Sequence, residues 1–561
     1  GWSDAGWRVG WRSGQEGAPQ AHVNDKLWDR LMVQVNPLVA RLDKRYKTLQ
    51  SQRTNWEKHW QELADFMLPR KADITKKRTQ GDKRTDLIFD GTAIHAVELL
   101  ASSLHGMLTS PSTPWFSMRY RDPGLQRDDA ANEWLELCMD QMYQHFNRSN
   151  FQQEIHELYY DLVVFGTGAF YVSAEEDGLR FACRHVAEIC ISEDPNGRVD
   201  TVYRKFKLSA RAIAMQFPKA SLPRSVAKDL EEDPYKEHEV IHAVFPRAEA
   251  KGKLAKQKPV ASVYYLADKR ELLSEGGFDE FPFMCPRFVK DSVSTYGRSP
   301  AMTALPDVKM LNKMSETTIK AAQKQIDPPL MVPDDGFMMP VRTTPGALNF
   351  YRSGTRDRLE PLNIGANNPL GLNMEEQRRN AIRQAFYVDQ LLLGQGSNMT
   401  ATEVLQRNEE KMRLLGPVLG RLQAELLQPL ISRSFALLLR AGLLPAPPEE
   451  LQGQDIDIEY VSPLAKAQKL TDLQAMLRGF EILLQVSQVA PVTDYLDGDA
   501  MVQYLVETAG LPARVIRGTA EVEEVRRQQA EQAAMQQQMQ QEMMAAEAGG
   551  KIAPLIKAAQ E

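Results

Sequence analysis

Cysteine is scarce in this chain: four in 561 residues, with no Cys-x-x-Cys pair. That density excludes a disulfide scaffold and suits a reducing compartment. No apolar run approaches the roughly 20 residues that cross a bilayer, so no membrane span is expected. Gly1 to Gln20 lacks the apolar stretch of a secretory signal. An excess of positive charge is missing too. The net charge is −6 at pH 7, whereas a general nucleic-acid binder is usually basic, so any contact with DNA must be local or weak. The phosphate-cradling pattern Gly-x-x-x-x-Gly-Lys-Ser/Thr occurs nowhere, and Phe165-Gly-Thr-Gly168 has no lysine to serve one. ATP hydrolysis is therefore not expected.

Three constellations imitate catalytic or metal sites. His238-Glu-Val-Ile-His242 has the His-Glu-x-x-His spacing of zinc proteases. Val240, Ile241, Val244 and Phe245 favour a strand there, and four strand residues span about 13 Å. Imidazoles so far apart cannot both reach zinc at about 2 Å. Asp455, Asp457 and Glu459 share one face of an alternating segment, as a Mg²⁺-binding nuclease cluster would, but also as any solvent-facing strand edge would. Cys183, His185 and Cys190 match no standard zinc spacing. No catalytic residue, metal ligand or cofactor is assigned.

What is present is a long α+β chain, predominantly helical, with room for two to four domains. Residues 1–23 read as a flexible arm with tryptophans at Trp2, Trp7 and Trp11. Residues 24–296 read as an α+β domain. Helices are expected over Asn24–Leu68, Thr92–Leu108, Ala130–Phe146, Gln152–Val164 and Ala210–Phe217. Strands are expected within Phe170–Ile191, Val199–Phe206, Val240–Phe245, Val260–Leu266 and Phe281–Val289. Between Arg70 and Arg84 lies a basic loop containing Lys71, Lys76, Lys77, Arg78 and Lys83, by default a solvated one.

The organising stretch is Ser299–Arg440. Ser299-Pro300 is an N-cap followed by the residue best tolerated at the first helical position, and Asp327-Pro328-Pro329 is a stop. This predicts a helix over 297–327, a Pro/Gly/Asn-rich insert over 328–372, and a second helix over 373–390 with Glu376 closing a capping box. A glycine-bracketed loop is predicted over 391–399 and a long helix over 400–443, kinked at Pro417 and Pro429. A helical bundle with one strand at Asp455–Tyr460 follows over 444–518. Residues 519–547 form a Gln/Met-rich helix and 548–561 a flexible tail. On the first of these helices Lys309, Lys313, Lys320 and Lys324 fall within about 60° of one another, with Glu316 spaced to pair with two of them. A solvated face with salt links accounts for that pattern on its own.

The layout of helix, insert, helix, glycine loop and long kinked helix resembles the portal, or head-to-tail connector, family of short-tailed bacteriophages. The segments Asp86-Leu-Ile-Phe-Asp-Gly-Thr-Ala93, Leu99–Pro111, Pro114-Trp-Phe116, Asp161–Gly168, Tyr296-Gly-Arg-Ser-Pro300 and Glu459-Tyr-Val-Ser-Pro-Leu-Ala465 carry the same resemblance, which covers about Leu42 to Leu511. It implies a portal fold of wing (24–296), stem helices (297–327 and 373–390), clip (328–372), tunnel loop (391–399) and crown (444–518), with 519–547 as a helical barrel. It also implies assembly as a dodecameric ring at one capsid vertex of the virion, built in the host cytoplasm. Double-stranded DNA would pass through the ring. The terminase large subunit, major capsid and scaffold proteins and tail adaptors would be its partners. Under this resemblance Lys309, Lys313, Lys320 and Lys324 line the DNA channel. Leu391, Leu392, Leu393, Gly394, Gln395, Gly396, Ser397, Asn398 and Met399 form the narrowest point. Arg342, Arg352, Arg356 and Arg358 face DNA or a docking partner. The readings set against it are a metal-dependent nuclease or protease and a non-viral adaptor scaffold.

Overall fold

The computed structural model describes residues 36–327 apart from 80, 123, 126–127, 176–177, 218–221 and 249–253, then 330–331, 360–361, 369–392, 415–448, 451, 458–461, 476–479, 481–482 and 519–558. The tryptophan-rich arm, the insert arginines 342, 352, 356 and 358, residues 393–399, the Thr400 cap and most of 444–518 lie outside the described residues.

The chain forms two compact units, one of residues up to Gln52 with Tyr203–Asp279, the other of Arg53–Val202 with Glu280 onward. This differs from a single domain over 24–296. The helices of 53–202 bury their apolar faces among elements that come after residue 280, so they belong to the second unit. Helix α1 (Pro37–Met67) contributes to both units.

In the first unit, β5 (Val199–Ser209), β6 (Glu237–Pro246), β7 (Val260–Leu266) and β8 (Leu272–Phe278) follow one another across a sheet. The pairs β6–β7 and β7–β8 are antiparallel. Helices α5 (Ala210–Gln216) and α6 (Arg224–Glu232) cover it, burying Ile213, Phe217 and Val226 against Val240, Leu266 and Leu273. The Ser209 hydroxyl caps α5 by accepting from the Ala212 N–H.

The second unit holds α2 (Thr92–Leu108), β1 (Ser117–Tyr120), α3 (Asp129–Arg148), α4 (Phe151–Phe165), β2 (Phe170–Glu175), β3 (Gly178–Cys183), β4 (Ile189–Glu193) and β9 (Phe283–Met284). After these come α7 (Pro300–Ile326), the short pair β10 (Leu330–Met331) and β11 (Glu360–Pro361), α8 (Pro369–Ala385), α9 (Val388–Leu392), α10 (Gln428–Arg440), β12 (Ile458–Val461) and α11 (Thr519–Ala558). Its core is aromatic: Trp115, Phe116, Phe146, Phe151, Phe170 and Phe181 are buried against one another. The strand expected near 455–460 appears as β12 and pairs with β1, Tyr460 opposite Met118. That partner, more than 300 residues earlier, is invisible to periodicity.

Several boundaries depart from expectation. The strand expected over Phe281–Val289 shrinks to β9, because Pro282 and Pro286 have no N–H to give a ladder. The second helix of the organising stretch begins at Pro369, before Asn373, so Glu376 closes no capping box and residues 369–372 leave the insert. It ends at Ala385, not 390. Tyr387 takes a left-handed conformation, φ 59°, that sets apart α9, which also contains Leu391 and Leu392 of the expected loop. The break lets Phe386 and Val388 both be buried. Ahead of Pro429 the long helix widens into a π-turn, Gln423–Leu427, since proline cannot return a hydrogen bond to Glu425. The C-terminal helix continues past 547 to Ala558. Good helix formers flank Gly549 and Gly550, and each glycine costs only about 1 kcal/mol.

Two of the quoted motifs meet at a pair of glycines. Gly166 ends α4 with φ 73°, and a Cβ on Gly166 or on Gly297 would strike the other's backbone. The Gly297 N–H donates to Thr167 Oγ1 at 2.8 Å. So Phe165-Gly-Thr-Gly168 serves close packing and not phosphate binding. Replacing Gly166 or Gly297 by Ala should each lower the unfolding temperature of this unit by about 4 °C or more. The two effects should be less than additive, because both changes relieve the same close approach. Gly420→Ala, in open helix surface, should be neutral or slightly stabilising in the same calorimetric scan.

Candidate functional site

Helix α7 is made as its sequence requires. The Ser299 hydroxyl accepts from the Met302 N–H at 3.1 Å and donates to the Val164 carbonyl at 2.7 Å, so the cap also ties the helix to α4. Ala301, Ala304, Leu305, Val308 and Leu311 are buried along one side. The opposite side carries Lys309, Lys313, Lys320 and Lys324, all exposed. Lys309 pairs with Glu62 of α1. Glu316 accepts from Lys313 at 2.9 Å and from Lys320. Among the described residues, four lysines set against the two carboxylates Glu62 and Glu316 leave an excess of two positive charges on this face.

Helix α8 lies against α7 and runs antiparallel to it, Arg378 bonding Asp307 at 2.7 Å and Thr318 donating to Glu375 at 2.6 Å. Ile382 and Phe386 are fully buried. Arg378, Arg379 and Arg383 are all engaged by carboxylates.

Sequence reasoning missed the segment that locks these helices. The buried Asn312 side chain accepts from the N–H groups of Phe89, at 2.7 Å, and Asp90, at 3.3 Å, and donates to the Leu87 carbonyl. Asp90 in turn accepts from Arg379 of α8 at 3.0 Å. Burial works against the Asp90 carboxylate, but hydrogen bonds from Thr92 and Arg379 outweigh it and hold its pKa below the ordinary value. The motif Asp86–Ala93 contained the signal; what it bonds was not readable. A second lock joins Arg287, buried, to Glu425 in the π-turn at 2.8 Å and to Glu193. Burial opposes the Arg287 charge, and the Glu425 and Glu193 carboxylates more than restore it.

The histidines and Cys183 of the imitation sites make structural contacts. His238 and His242 sit on strand β6, and His242 is buried, stacked on Tyr264 at 3.8 Å and bonded to Ser262 at 2.9 Å. His185 Nδ1 accepts from the Ala187 N–H, so its Nε2 donates to the Lys71 carbonyl. The Cys183 thiol donates to Asp161 at 3.4 Å, and burial pushes its pKa well up. Asp455 and Asp457 lie outside the described residues. No group of three or more metal-ligating side chains occurs among the described residues. None of their helices is long and apolar enough to cross a membrane. In the basic loop, Lys71, Lys76, Arg78 and Arg84 each face a carboxylate.

Hydrogen bonds from Lys320 and then Lys313 lower the Glu316 carboxyl from 4.5 to about 2. A carboxylate with a lowered folded pKa favours the fold above its unfolded value and loses that contribution as pH falls toward the folded one. A ¹³C-carboxyl titration should therefore place Glu316 near 2 and its link to the lysines intact down to about pH 3. In the Lys313→Ala/Lys320→Ala variant the same titration should return toward 4.5.

A family model described as "Bacteriophage head to tail connecting protein" matches residues 39–516. The probable portal protein of Bordetella phage BPP-1 is 33% identical over 503 residues, covering 87% of this chain and 90% of that one. The portal protein of Salmonella phage epsilon15 is 33% identical over 506 residues, covering 88% and 91%. A solved chain from the neck of an empty gene transfer agent particle aligns over 72% of this chain and 91% of its own, at 14% identity and a TM-score of 0.36. With most of its length matched by that family's model and by two phage portal proteins, the chain belongs to the bacteriophage head-to-tail connecting protein family.

Proposed function

We propose that this chain is a portal protein, a subunit of the ring through which double-stranded DNA enters and leaves the phage head. Family membership supports the role. The observation that carries the mechanism is the exposed lysine face of α7, which α8 leaves uncovered on its far side. In the proposed ring, twelve copies would stack these faces into cationic rings around the duplex at the capsid vertex of the virion. The excess of only two charges per copy is suited to passage: each phosphate fully neutralised releases counterions and tightens binding, so a partly balanced lining guides DNA without holding it.

The subunit performs no chemistry in this reading. The terminase supplies the work, scaffold and major capsid proteins receive the ring during assembly in the host cytoplasm, and tail adaptors bind it afterwards. The insert with Arg342, Arg352, Arg356 and Arg358 would be the outward clip, and 393–399, after α9, the tunnel loop.

Opposite changes on one helix test the channel role. Replacing Lys313, Lys320 and Lys324 by Ala should leave rings intact in negative stain but reduce DNA retention in filled heads and flatten its salt dependence. Glu316→Gln adds one positive charge per copy and should strengthen retention and slow ejection. Unchanged retention in both variants, with rings present, would count against these lysines as channel lining.

A further inference from the structure

The stem hairpin has two more sides. Asp307 and Thr318 mark the side of α7 that meets α8, and the lysines lie roughly 140° round from it at about 100° per residue. About a quarter turn to one side of the α8 contact, Ile319 and Ile326 continue the apolar stripe of Leu305, Val308 and Leu311. The earlier residues are buried; Ile319 is 43% and Ile326 85% exposed. On the other side Met310 is exposed.

Helix α8 repeats the pattern. Glu375 and Arg378 mark its α7-facing side, and Leu372, 62% exposed, and Met374, 40% exposed, stand about a quarter turn to either side. Both helices are right-handed and they run antiparallel, so a clockwise step on one is an anticlockwise step on the other. Leu372 therefore joins Ile319 and Ile326 on one flank, and Met374 joins Met310 on the opposite flank. Beside Leu372, Glu376 pairs with Arg379 at 3.5 Å and with Arg383 at 3.3 Å; on the other flank Lys324 stands about 40° round from Met310.

We infer that these flanks are where neighbouring copies of this chain meet, the Ile319–Ile326–Leu372 side of one copy packing on the Met310–Met374 side of the next; the inference rests on the ring assembly proposed above. Two different flanks with exposed apolar side chains, on opposite sides of one hairpin, suit a head-to-tail contact, the kind that closes into a ring, and not a self-complementary dimer. With the flanks tangential, α8 lies outside α7 and the lysines point to the axis. Thr318 bonds Glu375, so Ile319 and Met374 sit at the same height along the hairpin, and rotation about the ring axis brings one against the other.

The test uses the full chain carrying Ile319→Cys and Met374→Cys, treated with a short bis-maleimide. The native cysteines are buried or half-buried, and the unsubstituted chain is the control. The double variant should give a ladder of two, three and more linked chains on a denaturing gel, and each single variant should give none. Ile319→Glu should raise the concentration at which rings dissociate tenfold or more in sedimentation, with circular dichroism unchanged. Rings in negative stain without a ladder, and with Ile319→Glu still assembling normally, would overturn the flank assignment while sparing the ring; the flank would then be covered by the chain's own residues or by solvent. Linked dimers from a single variant would show a self-complementary contact and overturn it too. Absence of rings from the unsubstituted chain would instead remove the assembly reading on which the inference stands.

Discussion

One amide holds the α7–α8 pair in place. Asn312, buried inside α7, satisfies the N–H groups of Phe89 and Asp90 and the Leu87 carbonyl, so a loop backbone that would otherwise be left unpaired against a helix is fully bonded. The same loop then carries Asp90 to Arg379 on α8 and leads directly into α2. Two helices far apart in sequence are thereby fixed by one short segment earlier than both. An apolar residue at 312 would strand three backbone groups, and an aspartate would offer no donor to Leu87. With α7 held in this way, the lysines stay on an exposed side.

Charge on that side is balanced locally and not by the chain's net charge of −6. Glu316 sits between Lys313 and Lys320, and Glu62 reaches Lys309 from α1. These are exposed pairs, worth little to stability. Their consequence is for the charge along the helix, where they balance two of the four lysines among the described residues. A duplex that must move past many copies is better served by such a surface than by one that neutralises each phosphate. Elsewhere, basic side chains are put to structural use: Arg287 and Arg433 are buried and bonded to carboxylates and backbone carbonyls.

Much of this was legible in the sequence, for stated reasons. Ser299-Pro300 and Asp327-Pro328 bracket α7 because capping and proline effects are local, and Thr92–Leu108 has a clean apolar period that gives α2 its bounds. The lysine face follows from helical spacing alone. Non-local facts were not legible. Asn312 looks like any polar residue in a helix until its partner 222 residues away is known. The break at Tyr387 falls in a run with no glycine or proline, and arises from burying Phe386 and Val388 together. Strand β8 was missed because Gly276 and Gly277 interrupt its pattern, and α6 because it is short and highly charged. Spacing groups Lys309 with its neighbours, yet among the described residues it is drawn to another element, through Glu62.

The account turns on which way α7 faces in the assembled particle. A density map of the ring with duplex DNA inside, at a resolution that shows side chains, measures this directly. The account predicts Lys313, Lys320 and Lys324 on the lumen side, with α8 behind them away from the axis. Lysines on the outer wall, or α8 between them and the DNA, would contradict it.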